Sequence, residues 1–261
     1  MNPALAIGIE GIGVWSPEFP DWPSARAALG DGAQVAVDPV ARPPAAILPA
    51  GERRRAPESV LIAVEAAQQA CAMARRDPGD LAHVFVSAYG DIAINDYLCA
   101  TLARAPNEVS PTKFHNSVHN APAGYWTIAG GCMRASTVVS AGAASFGSGL
   151  LEAAVRAHVE SEPVLLVASD VATCGRLREI IPSRRAFAVA LVLAPQSSRA
   201  LARLHMHVGE VASAPPLLHA SASGNPAAAC LPLLAALARR ESCRLQVAAG
   251  PAYSLDMEIS F

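Results

Sequence analysis

Lysine is almost absent from this chain: Lys113 stands alone among 20 basic residues, and the formal net charge is −2. With no stripe of basic residues interleaved with aromatics, nothing here is built for nucleic acid. Long apolar runs are missing too. The longest, Ala186 to Ala194, is strand-sized, far short of the roughly 18 to 20 uninterrupted apolar residues of a membrane span. Met1 to Trp15 lacks a basic segment followed by an apolar core, so no export signal is expected. The six cysteines, Cys71, Cys99, Cys132, Cys174, Cys230 and Cys243, include no C-x-x-C pair and no clustered histidine partners. That pattern speaks against a zinc site or a disulfide frame and predicts reduced thiols in the cytoplasm. Gly11-x-Gly13 lacks the third glycine and the helix start that a dinucleotide site requires.

What the chain does have is interior. A 52% hydrophobic content with 16% charge over 261 residues suffices for one large core, or for two closely packed halves. Ala6 to Val14 alternates Gly with Ile and Val and reads as a buried first strand whose glycines let other elements pack close. Ser16 to Arg55, rich in Pro, Gly and Ala, reads as mostly irregular surface, with Arg53, Arg54 and Arg55 a solvated run before a helix. Val60, Leu61, Val64, Ala67, Cys71 and Ala74 recur at helical spacing over Pro57 to Arg75. His83 to Ser87 reads as a central strand, Ile92 to Ala105 as a helix, and Ser117 to Ala129 as another with Pro122 in its first turn. Val164 to Ala168 and Ala186 to Leu193 are further buried strands. Alternating strands and helices define an α/β class with a mostly parallel sheet. Beyond Pro195 the chain shortens to a strand at Leu204 to Val211, a helix over Pro226 to Arg240, and a hairpin of Leu245 to Ala249 with Leu255 to Ile259. Pro232 predicts a kink in that helix or a start nearer Leu231.

The stretch that organises the rest is Ala135 to Val155. Its β-branched beginning, Ser136 to Val139, reads as a buried strand, and Phe146, Leu150, Leu151, Ala154 and Val155 share one helical face. Ser140, Ala141, Gly142, Ala143 and Ala144 between them permit a sharp strand-to-helix turn. Unpaired N–H groups at a helix N-terminus favour anionic intermediates, so the corner suits a nucleophile, and Ser140 occupies it. His119 is a conceivable base for it. His115 and His119 would share a helical face if that segment were helical, a spacing that also suits a metal pair, but no third ligand is evident and a structural role is the expectation. Trp126 and Phe146 read as core, and Cys132 as a helix-end thiol.

Here the residues resemble a known family. Ile9-Glu10-Gly11-Ile12-Gly13-Val14-Trp15-Ser16-Pro17 is similar to the opening strand of β-ketoacyl synthases. Arg54 to Asp80 resembles their first helix and following turn. Phe114 to Gly131, with Asn120 and Ala123-Gly124, resembles the segment before their nucleophile, and Ala135 to Gly142 resembles the Val-Ser-Thr-Ala-Cys-Ala-Thr-Gly elbow itself. Ser223-Gly224-Asn225-Pro226 and Gln246 to Ile259 look like an abbreviated second half. The resemblance implies a thiolase-like αβαβα layered fold, with residues 1–195 as a ketosynthase-like half and residues 196–261 as a shortened half completing the same domain.

The departures are as informative. The elbow Cys of a working synthase is replaced by Ser140, the position aligning with one synthase histidine falls near Ser221, and the region expected to hold the other is read as deleted between Pro195 and Leu218; His205, His207 and His219 do not match the pattern. An alcohol needs a neighbouring general base where a thiol at a helix N-terminus does not. Ketosynthase-like proteins without the Cys are known as chain-length factors. This compact chain resembles the chain-length-factor-like subunits of aryl polyene and xanthomonadin-type type II polyketide systems. The resemblance implies a non-catalytic subunit that pairs with a Cys-bearing ketosynthase, shapes its acyl tunnel while an acyl carrier protein holds the chain, and needs no cofactor or metal. The elbow region is expected near the dimer interface. Asp91, Asp96 and Tyr97 match the region bordering the tunnel, which makes Tyr97, Leu98 and Thr101 candidate tunnel residues beside Asn120 and Ser140. The alternative is an independent acyltransferase or hydrolase with Ser140 as nucleophile.

Overall fold

Two glycines decide how the first strand meets the first long helix. A Cβ on Gly13 would stand 1.9 Å from the Ala66 carbonyl oxygen, and one on Gly11 2.2 Å from that of Ala70. Only bare backbone lets the two elements lie this close. In the computed structural model, which describes residues 5–31, 42–195, 197–210 and 224–261, the strand is β1, Leu5–Trp15. It is followed by α1 (Trp22–Asp31), α2 (Ala50–Arg55) and α3 (Glu58–Ala74). Thus α1 and α2 interrupt a region expected to be irregular, and the triple arginine forms the last turn of α2 instead of a loop. α3 ends where Arg75 turns left-handed at φ 52°.

Next come β2 (Ala82–Val86), α4 (Ile92–Arg104), α5 (Pro111–His115), α6 (Ala121–Ala129) and β3 (Ser136–Val139). After them follow α7 (Ser145–Glu160), β4 (Val164–Asp170), β5 (Phe187–Ala194) and β6 (Ala202–Glu210). The chain closes with α8 (Leu231–Arg239), β7 (Cys243–Ala248) and β8 (Tyr253–Ser260). A short 3₁₀ turn over Pro226–Cys230 precedes α8, so Pro232 falls in the first turn, where its missing N–H costs nothing.

The described strands join in one sheet of order β3-β2-β4-β5-β1-β6-β8-β7. It is mixed, not mostly parallel. Only β2 with β3 and β2 with β4 run parallel, joined by crossovers through helices; every other pair is antiparallel. β4 reaches β5 with no helix of crossover length between and returns antiparallel, whereas β6, antiparallel to β1 as β5 is, runs in the direction of β5 on the other side of β1.

β1 is the hinge of this sheet. Its later part pairs with β5 and its earlier part with β6, and the register shifts between Ile9 and Gly11, leaving Glu10 as the extra residue. The Glu10 side chain is 2% exposed and takes two bonds from Arg76, at 2.9 and 3.0 Å, plus contacts from Ser197 and Arg199. Burial raises its pKa, but the Arg76 and Ser197 hydrogen bonds and the two guanidinium charges outweigh this and hold it below its ordinary value.

The shorter limb, β6-β8-β7, folds back over α7: Ser148 Oγ donates to the Ala249 carbonyl at 2.7 Å, and a Cβ on Gly147 would strike the Ala248 carbonyl oxygen. α7 and α8 therefore lie between the limbs, with Phe146, Leu150, Leu233 and Leu234 meeting Val84 and Leu166 from one limb and Leu255 and Met257 from the other. α3 and α6 cover the opposite face of the long limb through Leu61, Val64, Ala67 and Trp126. Trp126 and Phe146 are core, as their size predicts. The layers run helix, sheet, helix, sheet. Among the described residues no helix covers the far face of the short limb, where Arg203, His205, Arg244, Gln246 and Glu258 stand in solvent.

Candidate functional site

The parallel strands β2, β3 and β4 end together, and the loops that leave them form one cluster. The Ser87 N–H donates to the Val139 carbonyl at 3.3 Å, continuing the β2–β3 ladder by one bond beyond the strands. Ser140 follows directly. Its side chain is exposed, and its hydroxyl donates to the Ala88 carbonyl at 3.2 Å. No basic side chain bonds to that hydroxyl among the described residues. His119 Nε2 lies 2.9 Å from the Ser87 carbonyl oxygen, so this nitrogen carries the proton and donates it to backbone.

The turn itself differs from a strand running directly into a helix. A 3₁₀ turn, Gly142–Ala144, separates Ser140 from α7, with Gly142 at φ 56°. Ser145 Oγ accepts from the Ala141 N–H at 2.9 Å and donates to the Gly142 carbonyl at 2.7 Å. The N-terminal N–H groups of α7 thus begin five residues after Ser140, and the nearest elbow amide already has a side-chain partner. Small residues made the elbow compact, but they allowed an extra turn that residue identity did not reveal.

Behind the elbow lies Asp170, the last residue of β4, 2% exposed. Its carboxylate accepts from Ser87 Oγ at 2.7 Å, from the Ala88 N–H at 3.0 Å and from the Tyr89 N–H at 3.1 Å. Burial pushes its pKa up to about 6 against the lowering pull of those donors and of His119, so it is ionised at neutral pH. Asn225 completes the support: its amide donates to the backbone carbonyls of Asp170 at 2.7 Å and Arg185 at 2.9 Å. Sequence reasoning did not single out Asp170 or Ser87. The available signal was a carboxylate ending the otherwise apolar run Val164 to Ala168, which has to find donors once buried.

The β2–α4 loop then passes Gly90, at φ 64°, to Asp91. Asp91 caps α4 through the Ile94 N–H at 2.8 Å and takes the Ser59 hydroxyl of α3 at 2.8 Å. α4 is weakly covered: Ile92 and Ile94 are its only buried residues. Tyr97, Leu98 and Thr101 are half-buried. They lie roughly 8 to 14 Å along the helix axis from Ile92, and no hydrogen bond joins them to Ser140. The Tyr97 hydroxyl accepts from the Ser110 N–H at 3.1 Å, and Lys113 Nζ sits 3.7 Å from its ring centre, so this side chain ties the α4–α5 connection. Beside the start of α4 a cleft of about 200 Å³ is lined by Pro57, Glu58, Asp91, Ala93, Ile94, Lys113 and Val171; Ser140 is not part of its wall.

Asn120 is the N-cap residue of α6, exposed, with no capping bond from its side chain. The segment before it is not helical: α5 ends at His115 and α6 starts at Ala121, so His115 and His119 share no helix face. The helix expected over Ser117 to Ala129 thus begins four residues later, with Pro122 in its first turn as expected, and Pro111 opens a separate short helix. Among the described residues no group of three or more His, Cys, Asp or Glu could hold a metal. Cys132 is fully buried, its Sγ 3.3 Å from the Leu81 carbonyl oxygen. Ser221 and His219 lie outside the described residues.

β3 is the edge of the sheet and pairs with β2 alone, so Ser136 to Val139, expected to be buried, is exposed or half-buried instead. Met133 just before it is 95% exposed, and Val155 and Val159 on α7, the helix packed on it, are also exposed. An uncovered strand edge flanked by large apolar side chains is a surface suited to pairing with another chain. No helix is long and apolar enough to cross a membrane among the described residues.

Comparison with curated proteins gives no match. Among solved structures, this chain is similar at 24% identity and TM-score 0.75 to one in the complex of the ketosynthase ApeO with its chain length factor ApeC from Xenorhabdus doucetiae. That match covers 97% of this chain and 99% of the other. A chain of the ishigamide ketosynthase/chain length factor matches at 14% identity and TM-score 0.75, over 97% and 99% of the two chains. A third, at 12% identity and TM-score 0.75, over 100% of this chain and 99% of the other, comes from AntDE:AntF, a type II PKS acyl-carrier protein in complex with its ketosynthase. These likenesses establish the layered thiolase-like fold. The model of the beta-ketoacyl synthase N-terminal domain matches residues 22–250, a span that includes the elbow, both supporting loops and α8, and the chain therefore belongs to the β-ketoacyl synthase family.

Proposed function

We propose that this chain is a non-catalytic, chain-length-factor-like subunit that pairs with a Cys-bearing ketosynthase and shapes the tunnel in which that partner's acyl or polyene chain grows. The observation that carries this reading is the bond from Ser140 to the Ala88 carbonyl. A nucleophilic alcohol requires a base at its proton, and this proton is directed to an amide oxygen. The partner covers the free edge of β3 and the exposed apolar residues around it. α4, buried at only two positions, supplies tunnel wall through Tyr97, Leu98 and Thr101. An acyl carrier protein presents the chain to the partner's thiol. The resemblance to aryl polyene and xanthomonadin-type subunits supports that pathway class, and the reduced-thiol pattern supports the cytoplasm.

The test is to tag the chain in its native host, identify what co-purifies, and assay the chain alone and as the complex with carrier-bound malonyl and acyl substrates. Elongation is expected from the complex only. Robust condensation by the isolated chain, or covalent labelling of Ser140 by a serine-directed reagent, would overturn the proposal.

A further inference from the structure

We infer that Asp170 is a positioning residue for α4: by fixing the β2–α4 loop it sets how far the half-covered face of that helix stands from the Ser140 elbow, and so tunes the width of the tunnel. The inference rests on the reading of α4 as tunnel wall given above.

The carboxylate gathers Ser87, Ala88 and Tyr89 in one grip from beneath. Ser87 Oγ, held by Asp170, accepts in turn from the Gly90 N–H at 2.9 Å, so the grip extends to the residue before the cap of α4. From above, the same loop meets Ser140 through the Ala88 carbonyl and His119 through the Ser87 carbonyl. The loop is therefore a spacer between β4 below, the elbow beside it and α4 ahead of it. Because the Gly90 N–H is tied to Ser87 Oγ and Asp91 beside it caps the helix, a displacement at 87–89 passes to Asp91 and the first turn of α4. Tyr89 and His119 are the titratable groups that face Asp170 from its surroundings, and Asn225 holds its backbone carbonyl. Burial on this scale at the end of β4 is more than a surface carboxylate would need, and the elbow makes no direct use of it.

The experiment compares the full chain with Asp170→Ala, which removes the acceptor of the Ser87, Ala88 and Tyr89 bonds, and with Ser87→Ala, which deletes one donor and serves as well should the first variant fail to fold. Hydrogen exchange is expected to show at least tenfold faster exchange over residues 88–94, with α3 and β5 unchanged. The double variant should be less than additive. In the producing host, mass spectrometry should find a shifted distribution of product lengths with total product within about twofold of the parent. Unaltered exchange overturns the inference, as does faster exchange with an unaltered length distribution, including the case in which only total product falls. If Tyr97→Ala and Leu98→Ala change product length in the same strains, that failure belongs to Asp170 and not to the tunnel reading.

Discussion

Ser140 and Ala88 stand 52 positions apart in sequence and meet through one bond, hydroxyl to carbonyl, across 3.2 Å. Ala88 in turn gives its N–H to Asp170. The Asp170 carboxylate therefore approaches Ser140 through a peptide group, and a peptide group does not relay a base.

Replacing Ser140 by Ala should leave the pathway product unchanged in amount and length. The exposed bond it removes is worth about 1 kcal/mol at most. Mass spectrometry of the product and a thermal melt of the purified chain check both parts, and loss of product would favour a nucleophilic serine.

Shortening Tyr97 or Leu98 to Ala should lengthen the products. For Tyr97 a second effect is expected, since its hydroxyl holds the Ser110 N–H: limited proteolysis between α4 and α5 should quicken. Leu98→Ala, which breaks no such bond, separates the two effects.

Gly13→Ala should prevent folding or cost at least about 3 kcal/mol, because a methyl placed 1.9 Å from the Ala66 carbonyl forces β1 and α3 apart. Gly131→Ala, where the added carbon meets nothing within 4 Å, bears only the strain of its positive φ, and denaturant unfolding should rank it far milder.

The Glu10 carboxyl sits below its ordinary 4.5 in the folded chain. Its contribution is complete above pH 4.5 and is lost as pH falls through the depressed folded value. Glu10→Gln should remove part of that acid-side loss while lowering stability at neutral pH by about 1 to 3 kcal/mol, since Arg76 loses its charged partner. Urea midpoints between pH 3 and 7 measure both.

Thiol titration of the native chain should find Cys99 fast. Cys71, Cys132 and Cys230 are buried, and burial pushes Cys71 up to about 12, so all three should react only on unfolding.

Much of the architecture was legible because it is written in periodicity. The glycine-spaced first strand, the apolar face of α3, the β-branched start of the elbow and the buried runs of β4 and β5 all appear where spacing puts them. α1 and α2 escaped because Pro, Gly and Ala mask weak amphipathicity, and the sheet's mixed direction escaped because periodicity carries no polarity. The site was less legible. Ser140 was visible as a corner, but its partner is a backbone oxygen, which leaves no mark on residue identity. Asp170 and Ser87, 83 residues apart, become neighbours only once the parallel strands end side by side.

The polar face of β6, β8 and β7, uncovered among the described residues, has a practical consequence. It turns away from the elbow layers, so a fluorophore or surface tether attached at Arg244 would report on assembly with a ketosynthase without standing in its way.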